Sequence, residues 1–410
     1  MPYVLQMAAL ALLSQAPPNS AWPGWRGPAA DGHSAEQDLP QRWTEESVEW
    51  KTPLKGAGQS SPVIWGERIF LTTALEKGRQ RVVLCIDRRT GKIVWEKTAW
   101  IGEPEPSHAM NGWASATCAV DGERVYAFFG RGGGLHCFSA DGTPAWSKDL
   151  GRFEGPWGTA ASPVLAGDLV IQNCDSDKDA RLVAFNRKTG EEVWSAAREP
   201  NRGWSTPVLI DTGTRKELVL NGHTGVIAYA PETGKELWIC RCPAGRGEPT
   251  VTPAGGMLYV SNGLSGAGVY AIRPGGSGDV TATHRVWMTK SGERDTPSPV
   301  VIGDTVLVMS LRPDLLSAYE AATGKNFWRI RVGGQSSSSP VSYGGLAFAV
   351  LESGETIVVD PKSEERIIAR NRVNPAPGEV FRASLTPSDG QIFLRSDRTL
   401  YCIGKRASGR

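Results

Sequence analysis

One string of residues recurs along the chain and constrains the fold more than any other feature. CIDRRTGKIVW runs from Cys85 to Trp95, and close copies begin at Ala184, Ala228 and Ala318. Shortened, interrupted or degenerate copies begin at four further positions, which are Cys137, Ala271, Val358 and Cys402. Successive copies begin 40 to 52 residues apart. A period in the forties that is built from short strands is typical of β-propeller blades rather than of helical repeats.

The residues before each string supply the rest of a blade. A small residue followed by Pro-Val opens a short apolar strand, then a Gly or Asp turn, then an alternating strand. Clear examples are Ser60 to Thr73, Ala161 to Asn173, Pro297 to Ser310 and Ser338 to Val350. Together with the two strands of the string, each repeat is predicted to form a four-stranded blade, and no long helical period interrupts the pattern.

The Thr-Gly turn and the tryptophan of the string both have structural roles. Gly91, Gly190, Gly234 and Gly324 suit a turn that requires positive φ. The tryptophan that follows is expected on the outer strand, where it can pack against the next blade and bury about 200 Å². We therefore assign a structural docking role to Trp50, Trp95, Trp146, Trp194, Trp238, Trp287 and Trp328.

The two ends of the chain are predicted to meet in one blade. The last repeat stops without an outer strand, whereas Ser47 to Leu54 contains Trp50 but has no repeat string of its own. Using this segment as the missing strand closes the ring and removes its open edges. The predicted fold is all-β, an eight-bladed propeller over residues 47–405, with an N-terminal extension at 22–46 and a C-terminal tail at 406–410.

An apolar stretch near the N-terminus indicates export. Val4 to Leu13 has the length of a signal-peptide core, and small residues for cleavage follow at Ala16 and Ala21. No Lys or Arg precedes the stretch, so a misassigned start codon and a short membrane anchor remain alternatives. We predict a signal peptide over residues 1–21 and a periplasmic or secreted protein. No other segment is long and apolar enough to span a membrane.

The charge pattern gives no sign of a nucleic-acid partner. The chain has 45 basic and 43 acidic residues, well mixed, for a net charge of +2. Basic patches interleaved with aromatic residues, which nucleic-acid binding requires, are not seen in the sequence. The partner is therefore expected to be a protein, a peptide or a glycan, and the propeller itself is expected to be monomeric.

Three segments resemble a known family beyond the repeat itself. These are WPGWRGPAADGHS (Trp22 to Ser34), the Gln59-Ser-Ser-Pro segment and the stretch from His108 to Gly130. With the repeats, they resemble bacterial quinoprotein-type propellers with pyrroloquinoline quinone (PQQ)-binding-like repeats, and in particular a secreted subgroup. The family also includes the scaffold lipoprotein of the outer-membrane β-barrel assembly machine. The resemblance implies the fold strongly and the function weakly.

This sequence lacks features that the quinone-dependent enzymes of that family have. The resemblance implies that these enzymes have a ring formed by two adjacent cysteines at the quinone. It also implies a Ca²⁺ ion held by carboxylate and amide side chains, and an Asp that acts as a base. The nearest cysteines here, Cys240 and Cys242, are separated by one residue, and long capping loops are missing. No cofactor is therefore expected, and Cys240 and Cys242 are interpreted as two positions on an outer strand, with a strained redox pair as the alternative.

Other candidate motifs for chemistry are incomplete. Asp175, Asp177 and Asp179 form a loop that is similar to a Ca²⁺ loop, but the Gly and Glu such a loop needs are absent. His108 and His223 have no patterned Asp and Ser partners for a catalytic triad. No Cys-x-x-Cys spacing indicates zinc. Neither a metal site nor a catalytic residue is predicted.

The repeat phase does indicate a binding surface. Residues just before each inner strand should surround one mouth of the central channel, and they include residue types that anchor interfaces. The candidate rim residues are Trp113, Trp157, Arg202, Trp204, Arg246, Arg294 and Arg382. Gln59, Ser60, Glu248, Asp295, Gln335 and Phe381 share this position. The alternative interpretation is that each tryptophan only covers the top of its own blade.

Two functions are compatible with these observations. The first is a non-catalytic extracytoplasmic binding or scaffold protein that presents the Trp/Arg rim to a peptide, protein or glycan. The second is an enzyme, either a PQQ-dependent dehydrogenase or a hydrolase with an unrecognised site. The missing cysteine pair favours the first.

Overall fold

Eight antiparallel β-sheets form the blades of a propeller. The computed structural model describes residues 21–153, 155–243, 245–262, 268–290 and 297–406. Within them, neighbouring strands of each blade are hydrogen-bonded, and hydrogen bonds just before the inner strands link every blade to the next. The predicted eight-bladed fold is confirmed. Helices in these ranges are limited to Thr281–His284 and two 3-10 turns, Glu45–Ser47 and Glu76–Gly78. None of them is long and apolar enough to cross a bilayer.

The four strands of a blade are lettered a to d from the channel outwards. Strands a to d are Val63–Trp65, Arg68–Leu75, Gln80–Asp87 and Ile93–Ile101 in blade 1, and Ala119–Val120, Arg124–Phe128, Leu135–Ser139 and Pro144–Lys148 in blade 2. They are Val164–Ala166, Leu169–Cys174, Arg181–Asn186 and Glu192–Ala197 in blade 3, and Val208–Asp211, Lys216–Asn221, Gly225–Tyr229 and Glu236–Arg241 in blade 4. They are Thr252–Ala254, Met257–Ser261, Val269–Ile272 and Arg285–Met288 in blade 5, and Val300–Ile302, Thr305–Met309, Leu315–Glu320 and Asn326–Arg331 in blade 6. They are Val341–Tyr343, Leu346–Val350, Thr356–Val359 and Ile367–Asn371 in blade 7, and Thr386–Ser388, Gln391–Arg395, Thr399–Ile403 and Val48–Pro53 in blade 8. A short strand, Gly278–Asp279, adds in parallel to the outer edge of blade 4.

The N-terminal strand completes blade 8 as predicted. Val48–Pro53 pairs antiparallel with Thr399–Ile403, and Trp50 lies opposite Cys402 in the register. Backbone hydrogen bonds thus join the N-terminal and C-terminal parts of the chain within one blade. This closure removes the free edge that strand c of blade 8 would otherwise present.

In seven of the eight blades, the small residue that begins the repeat string lies opposite the docking tryptophan. Cys85 pairs with Trp95, Ala184 with Trp194 and Ala228 with Trp238 in the registers of their blades. A large side chain on strand c would compete for the space that the indole needs. Alanine or cysteine therefore occupies this position in seven of the eight repeats, and the exception, Val358, lies opposite Ala369 in blade 7, where strand d has no tryptophan.

Five of the seven docking indoles are fixed by the turn between strands c and d of the next blade. Trp194 donates its Nε1–H to the carbonyl of Pro231 at 3.0 Å, and a Cβ at Gly234 would lie 2.4 Å from its ring. The glycine is therefore required twice, by its φ of +70° and by the indole. Equivalent bonds to turn carbonyls are made by Trp50, Trp95, Trp146 and Trp287.

Two docking tryptophans use different partners. Trp238 is fully buried and donates to the Glu217 carboxylate at 2.8 Å, because an insertion replaces the turn in blade 5. Trp328 lies under the guanidinium of Arg366, 5.3 Å from the ring centroid, because blade 7 lacks the Thr-Gly turn. The docking position is therefore constant even where the turn chemistry changes.

Candidate functional site

The channel opens on one face into a cavity of about 470 Å³. The cavity lies where the inner strands begin, opposite the face that carries the Thr-Gly turns. Aromatic, cationic and hydroxyl side chains from several blades line it. It contains much of the predicted rim.

A closed ring of hydrogen bonds forms the wall at the base of this cavity. In every blade the residue at the start of the inner strand is Ser or Thr, and its side-chain oxygen accepts the backbone N–H of the equivalent residue in the preceding blade. The donor–acceptor distances lie between 2.9 and 3.1 Å all the way round. The hydroxyl ring consists of Ser61, Thr117, Ser162, Thr206, Thr250, Ser298, Ser339 and Ser384.

The N-terminal segment blocks the channel beneath the hydroxyl ring. Trp22 exchanges two backbone hydrogen bonds of 2.9 Å with Ile64 of blade 1, and Gly32 and Ser34 bond Ser342 of blade 7 at 2.8 Å. Between these anchors the chain crosses the channel. The predicted N-terminal extension, residues 22–46, contributes Trp22, Leu39 and Trp43 to a hydrophobic cluster of the propeller core. Trp25, from this segment, faces the cavity.

A buried cation lies in the same segment. Arg26 is 1 % exposed, and its Nη2 donates to the carbonyls of Pro299 at 2.6 Å and Asp31 at 2.7 Å. Burial lowers the pKa of its guanidinium to about 10, so the group is still protonated at neutral pH. Its Nε and Nη1 have no hydrogen-bond partner within the described residues. The base of the cavity therefore lies close to a positive charge that the protein only partly satisfies.

A loop between blades 1 and 2 lies over one side of the mouth. Arg81 is fully buried and pairs with Glu105 at 2.7 Å, and its guanidinium lies 5.3 Å from the Trp100 ring and 6.0 Å from the Trp113 ring. Trp113 donates to the carbonyl of Glu105 at 2.8 Å and packs over Gly78. Trp113 is thus turned away from the cavity. Its contacts hold the loop rather than form the cavity wall.

The same loop places His108 against the predicted rim. The His108 ring lies 4.1 Å from the Trp157 ring, and the Asn111 amide donates to the Trp157 carbonyl at 2.8 Å. On the far side of the mouth, Arg382 donates to the carbonyl of Ala109 at 3.1 Å. The loop is therefore anchored to blades 3 and 8, and it narrows the opening between them.

Trp157, Trp204, Arg246 and Arg382 all line the cavity. The Arg246 guanidinium lies 5.9 Å from the Trp157 ring, within reach of a cation–π interaction, and 3.9 Å from Glu248. Trp204 donates its Nε1–H to the carbonyl of Gly158 at 2.8 Å. Both indoles therefore contact residues outside their own blades.

The remaining rim residues have different positions. Arg202 forms a two-point ion pair with Asp177, at 2.9 and 2.5 Å, in a groove of about 330 Å³ beside the cavity. Arg294 lies outside the described residues. Arg312, in a loop of blade 6, lines the cavity but was missed because it does not precede an inner strand. Trp25 was missed because nothing local shows that its segment enters the channel.

The other candidate groups have structural partners. Asp175 pairs with Arg198 at 2.6 Å and Asp177 pairs with Arg202, so the acidic loop is used in ion pairs. Within the described ranges no cluster of three or more His, Cys, Asp or Glu residues could hold a metal ion. Burial raises the pKa of the thiols of Cys85, Cys118, Cys137, Cys174 and Cys402 to about 12. These thiols therefore stay protonated at physiological pH.

Comparison with known proteins identifies the family. The sequence profile described as outer membrane protein assembly factor BamB matches residues 78–248, 178–273 and 276–370, which is more than half of the chain. The chain belongs to this BamB-type family of PQQ-like propellers. The resemblance stated from the sequence is thereby confirmed.

Individual members and neighbours of the BamB-type family agree with this. Outer membrane protein assembly factor BamB of Burkholderia pseudomallei is 28 % identical over 302 residues, which is 71 % of this chain and 69 % of that protein. Quinoprotein alcohol dehydrogenase PedH of Pseudomonas putida is 34 % identical over 109 residues, 24 % of this chain and 17 % of that protein.

Solved structures with low sequence identity share the fold. BamB from Moraxella catarrhalis superposes with a TM-score of 0.64 at 17 % identity, over 88 % of this chain and 98 % of that one. A europium-containing methanol dehydrogenase superposes with a TM-score of 0.71 at 12 % identity, over 95 % and 98 % of the two chains. Because BamB and a methanol dehydrogenase both superpose on this chain, the fold by itself does not distinguish a binding protein from an enzyme.

Proposed function

We propose that this chain is a non-catalytic extracytoplasmic binding or scaffold protein that holds its ligand or partner at the axial cavity. The supporting observation is the cavity itself, which opens on one face, is blocked below by the N-terminal segment, and combines indole and guanidinium groups. Concave sites with a few convergent polar groups are the usual places for ligands. Tryptophan and arginine are also the residues that most often dominate binding energy.

The charge of the cavity wall supports an anionic ligand. Arg246, Arg312 and Arg382 line the cavity, and Glu248 is the one carboxylate among the lining residues. Arg382 pairs with Glu352, which does not line the cavity, at 3.2 Å from its Nε to the carboxylate, and its charge is partly neutralised. The positive groups therefore exceed the negative ones at the mouth, and complementary charge favours an acidic partner.

The enzymatic alternative requires groups that the cavity does not supply. A Ca²⁺-bound quinone needs several carboxylate and amide ligands together with the stacked cysteine ring that the family enzymes use. Glu248 is the only lining carboxylate and no cysteine lines the cavity. Cys240 and Cys242 lie at the outer edge of blade 4 instead. The residues present do not fit this cofactor, and we derive no reaction through it.

The relationship to BamB supports a protein partner as one form of the ligand. The Burkholderia relative is named as an outer membrane protein assembly factor, and that name implies work with other proteins. The match covers about two thirds of both chains, so a comparable role is included in the proposal. A peptide, a protein and a glycan remain within the same binding function.

We further propose that a signal peptide within residues 1–21 is removed on export, so that the mature protein begins between Pro17 and Trp22. Cleavage in this range keeps Trp22, which bonds Ile64 and helps to block the channel. The N-terminal peptide of the protein, recovered from a periplasmic or secreted fraction, is expected to begin in this range by mass spectrometry. Intact Met1 on protein from a cytoplasmic fraction would contradict the proposal.

The binding function is tested with a double variant, Trp157→Ala/Trp204→Ala. The protein is used to capture partners from an extracytoplasmic extract, and the affinity of each captured partner is then measured. Removing two central indoles is expected to weaken binding by about a hundredfold or more, because hot-spot residues each contribute about 2 kcal/mol or more.

Phe327→Ala serves as the matched control. Phe327 is 42 % exposed on the outer strand of blade 6, so this change removes an aromatic ring from the perimeter instead of the mouth. It is expected to leave partner affinity unchanged. Equal affinity of the double variant and the unmodified protein, with unchanged urea midpoints, would exclude the axial cavity as the binding site.

A further inference from the structure

We propose that the axial cavity binds an acidic oligosaccharide, a short chain of uronic-acid units. This inference rests on the proposed binding function and names the ligand class of the same site. It follows from three features that occur together, namely a wall of hydroxyl groups, an accessible indole and an excess of guanidinium groups.

The hydroxyl ring leaves its own hydrogens unused. Each ring oxygen accepts a backbone N–H, as described above, and seven of the eight residues line the cavity. Within the described residues, none of these hydroxyls donates a hydrogen bond to the protein. A hydroxyl group retains one donor after it accepts. The base of the cavity therefore presents a band of donors that matches a ligand rich in oxygen atoms.

Apolar surface for sugar rings comes from Trp204 and Trp25. Both line the cavity, and no aromatic ring of the described residues stacks on either. Trp157 is different, because His108 lies against it at 4.1 Å and Arg246 lies 5.9 Å from its ring. Trp157 therefore positions Arg246, whereas Trp204 can take the flat C–H face of a sugar.

The cations select the acidic form of the sugar. The Arg246 side chain is 50 % exposed, and its ion pair with Glu248 is long at 3.9 Å. Arg312, in the loop between strands b and c of the adjacent blade 6, is exposed and also lines the cavity. The planar guanidinium group matches the two oxygens of a carboxylate. The buried Arg26 adds positive potential below the hydroxyl ring.

The shape of the site suits a linear chain. The groove that contains Arg202 shares Trp157, Trp204 and Arg246 with the cavity, so the two spaces adjoin at the rim. Cavity and groove have volumes of about 470 and 330 Å³. One end of an oligosaccharide can enter the cavity while the chain continues outwards over blades 3 to 5.

The composition of the wall favours a sugar over an acidic peptide. Large aliphatic or thioether side chains in the lining are limited to Met110 and Leu311, whereas nine lining residues carry a hydroxyl group. Peptide side chains gain affinity mainly from apolar pockets, and sugars gain it from many hydrogen bonds together with one stacked ring. The experiment must therefore distinguish binding of an acidic sugar from binding of an acidic peptide.

The test is titration calorimetry of the full chain with defined tetramers. The probes are tetragalacturonate, tetramannuronate, fully methyl-esterified tetragalacturonate and tetraglutamate. At least one uronate is expected to bind, and the methyl ester of tetragalacturonate at least about tenfold more weakly than its acid, because esterification removes the charge-assisted hydrogen bonds. Arg246→Ala/Arg312→Ala is expected to weaken uronate binding by about tenfold or more, with a smaller salt dependence.

Arg89→Ala is the matched control, because Arg89 is an exposed cation in a Thr-Gly turn on the opposite face. It should leave affinity unchanged. Equal binding of acid and ester, or of the control and the double arginine variant, would overturn the inference. Tetraglutamate binding that depends on Arg246 in the absence of uronate binding would overturn it and leave the proposed function standing. If no tetramer binds, the inference fails, and the capture experiment with the tryptophan variant decides the proposed function separately.

Discussion

Trp238→Ala is expected to lower the free energy of unfolding by about 3–5 kcal/mol, the usual cost of removing a large buried aromatic side chain. The indole is fully buried between blades 4 and 5, in a cluster with Val219 and Tyr270. Its removal also takes one hydrogen-bond donor away from the buried Glu217 carboxylate. Loss of a partner by a buried acceptor adds to the cost of the cavity.

Urea unfolding of the variant and of a neighbouring control measures this effect. Val193→Ala, on the outer strand of blade 3, changes a side chain that is 50 % exposed and next to Trp194. Such a surface change is expected to alter stability by less than about 0.5 kcal/mol. A midpoint for Trp238→Ala close to that of Val193→Ala would show that the indole does not dock the blades as the structure indicates.

A chain that begins at residue 55 is expected to lose cooperative folding altogether. The truncation removes strand d of blade 8 and exposes the edge of Thr399–Ile403. It also removes Trp22 and Trp43 from the core and unblocks the channel. At about 3–5 kcal/mol for each buried tryptophan, the loss is comparable with the whole stability of a typical domain, about 5–15 kcal/mol.

Thermal unfolding of two truncated chains checks this prediction. A chain that begins at residue 21 keeps every described contact and should unfold like the full-length protein. Adding a peptide of residues 21–54 to the shorter chain should restore a cooperative transition whose midpoint rises with peptide concentration, as mass action requires. Unchanged cooperativity of the chain from residue 55, without peptide, would contradict the closure described here.

The sequence by itself determined the number of blades, their strand order and the docking positions. The reason is that these features depend on contacts within one repeat or between adjacent repeats, and the same pattern recurs eight times. The pairing of Trp50 with Cys402 joins the two ends of the chain, yet it was also predictable, because the repeat count left one strand missing.

The tertiary structure decided which candidate residues line the cavity. The position of a residue within its repeat indicates at which end of the blade it lies. The direction of its side chain depends on partners that are distant in the sequence. Arg81 and Glu105 turn Trp113 away from the mouth, and Asp177 draws Arg202 into the outer groove. Trp157 and Trp204, with the same repeat phase, point into the cavity.

The base of the cavity could not be predicted for the same physical reason. The sequence shows a Ser or Thr before the inner strand in each repeat, but the closed ring of hydrogen bonds exists only once all eight blades meet. Trp25 and Arg26 belong to a segment with no repeat pattern, and only its bonds to blades 1 and 7 place it in the channel. Local pattern therefore determined the scaffold, and non-local contacts determined the site.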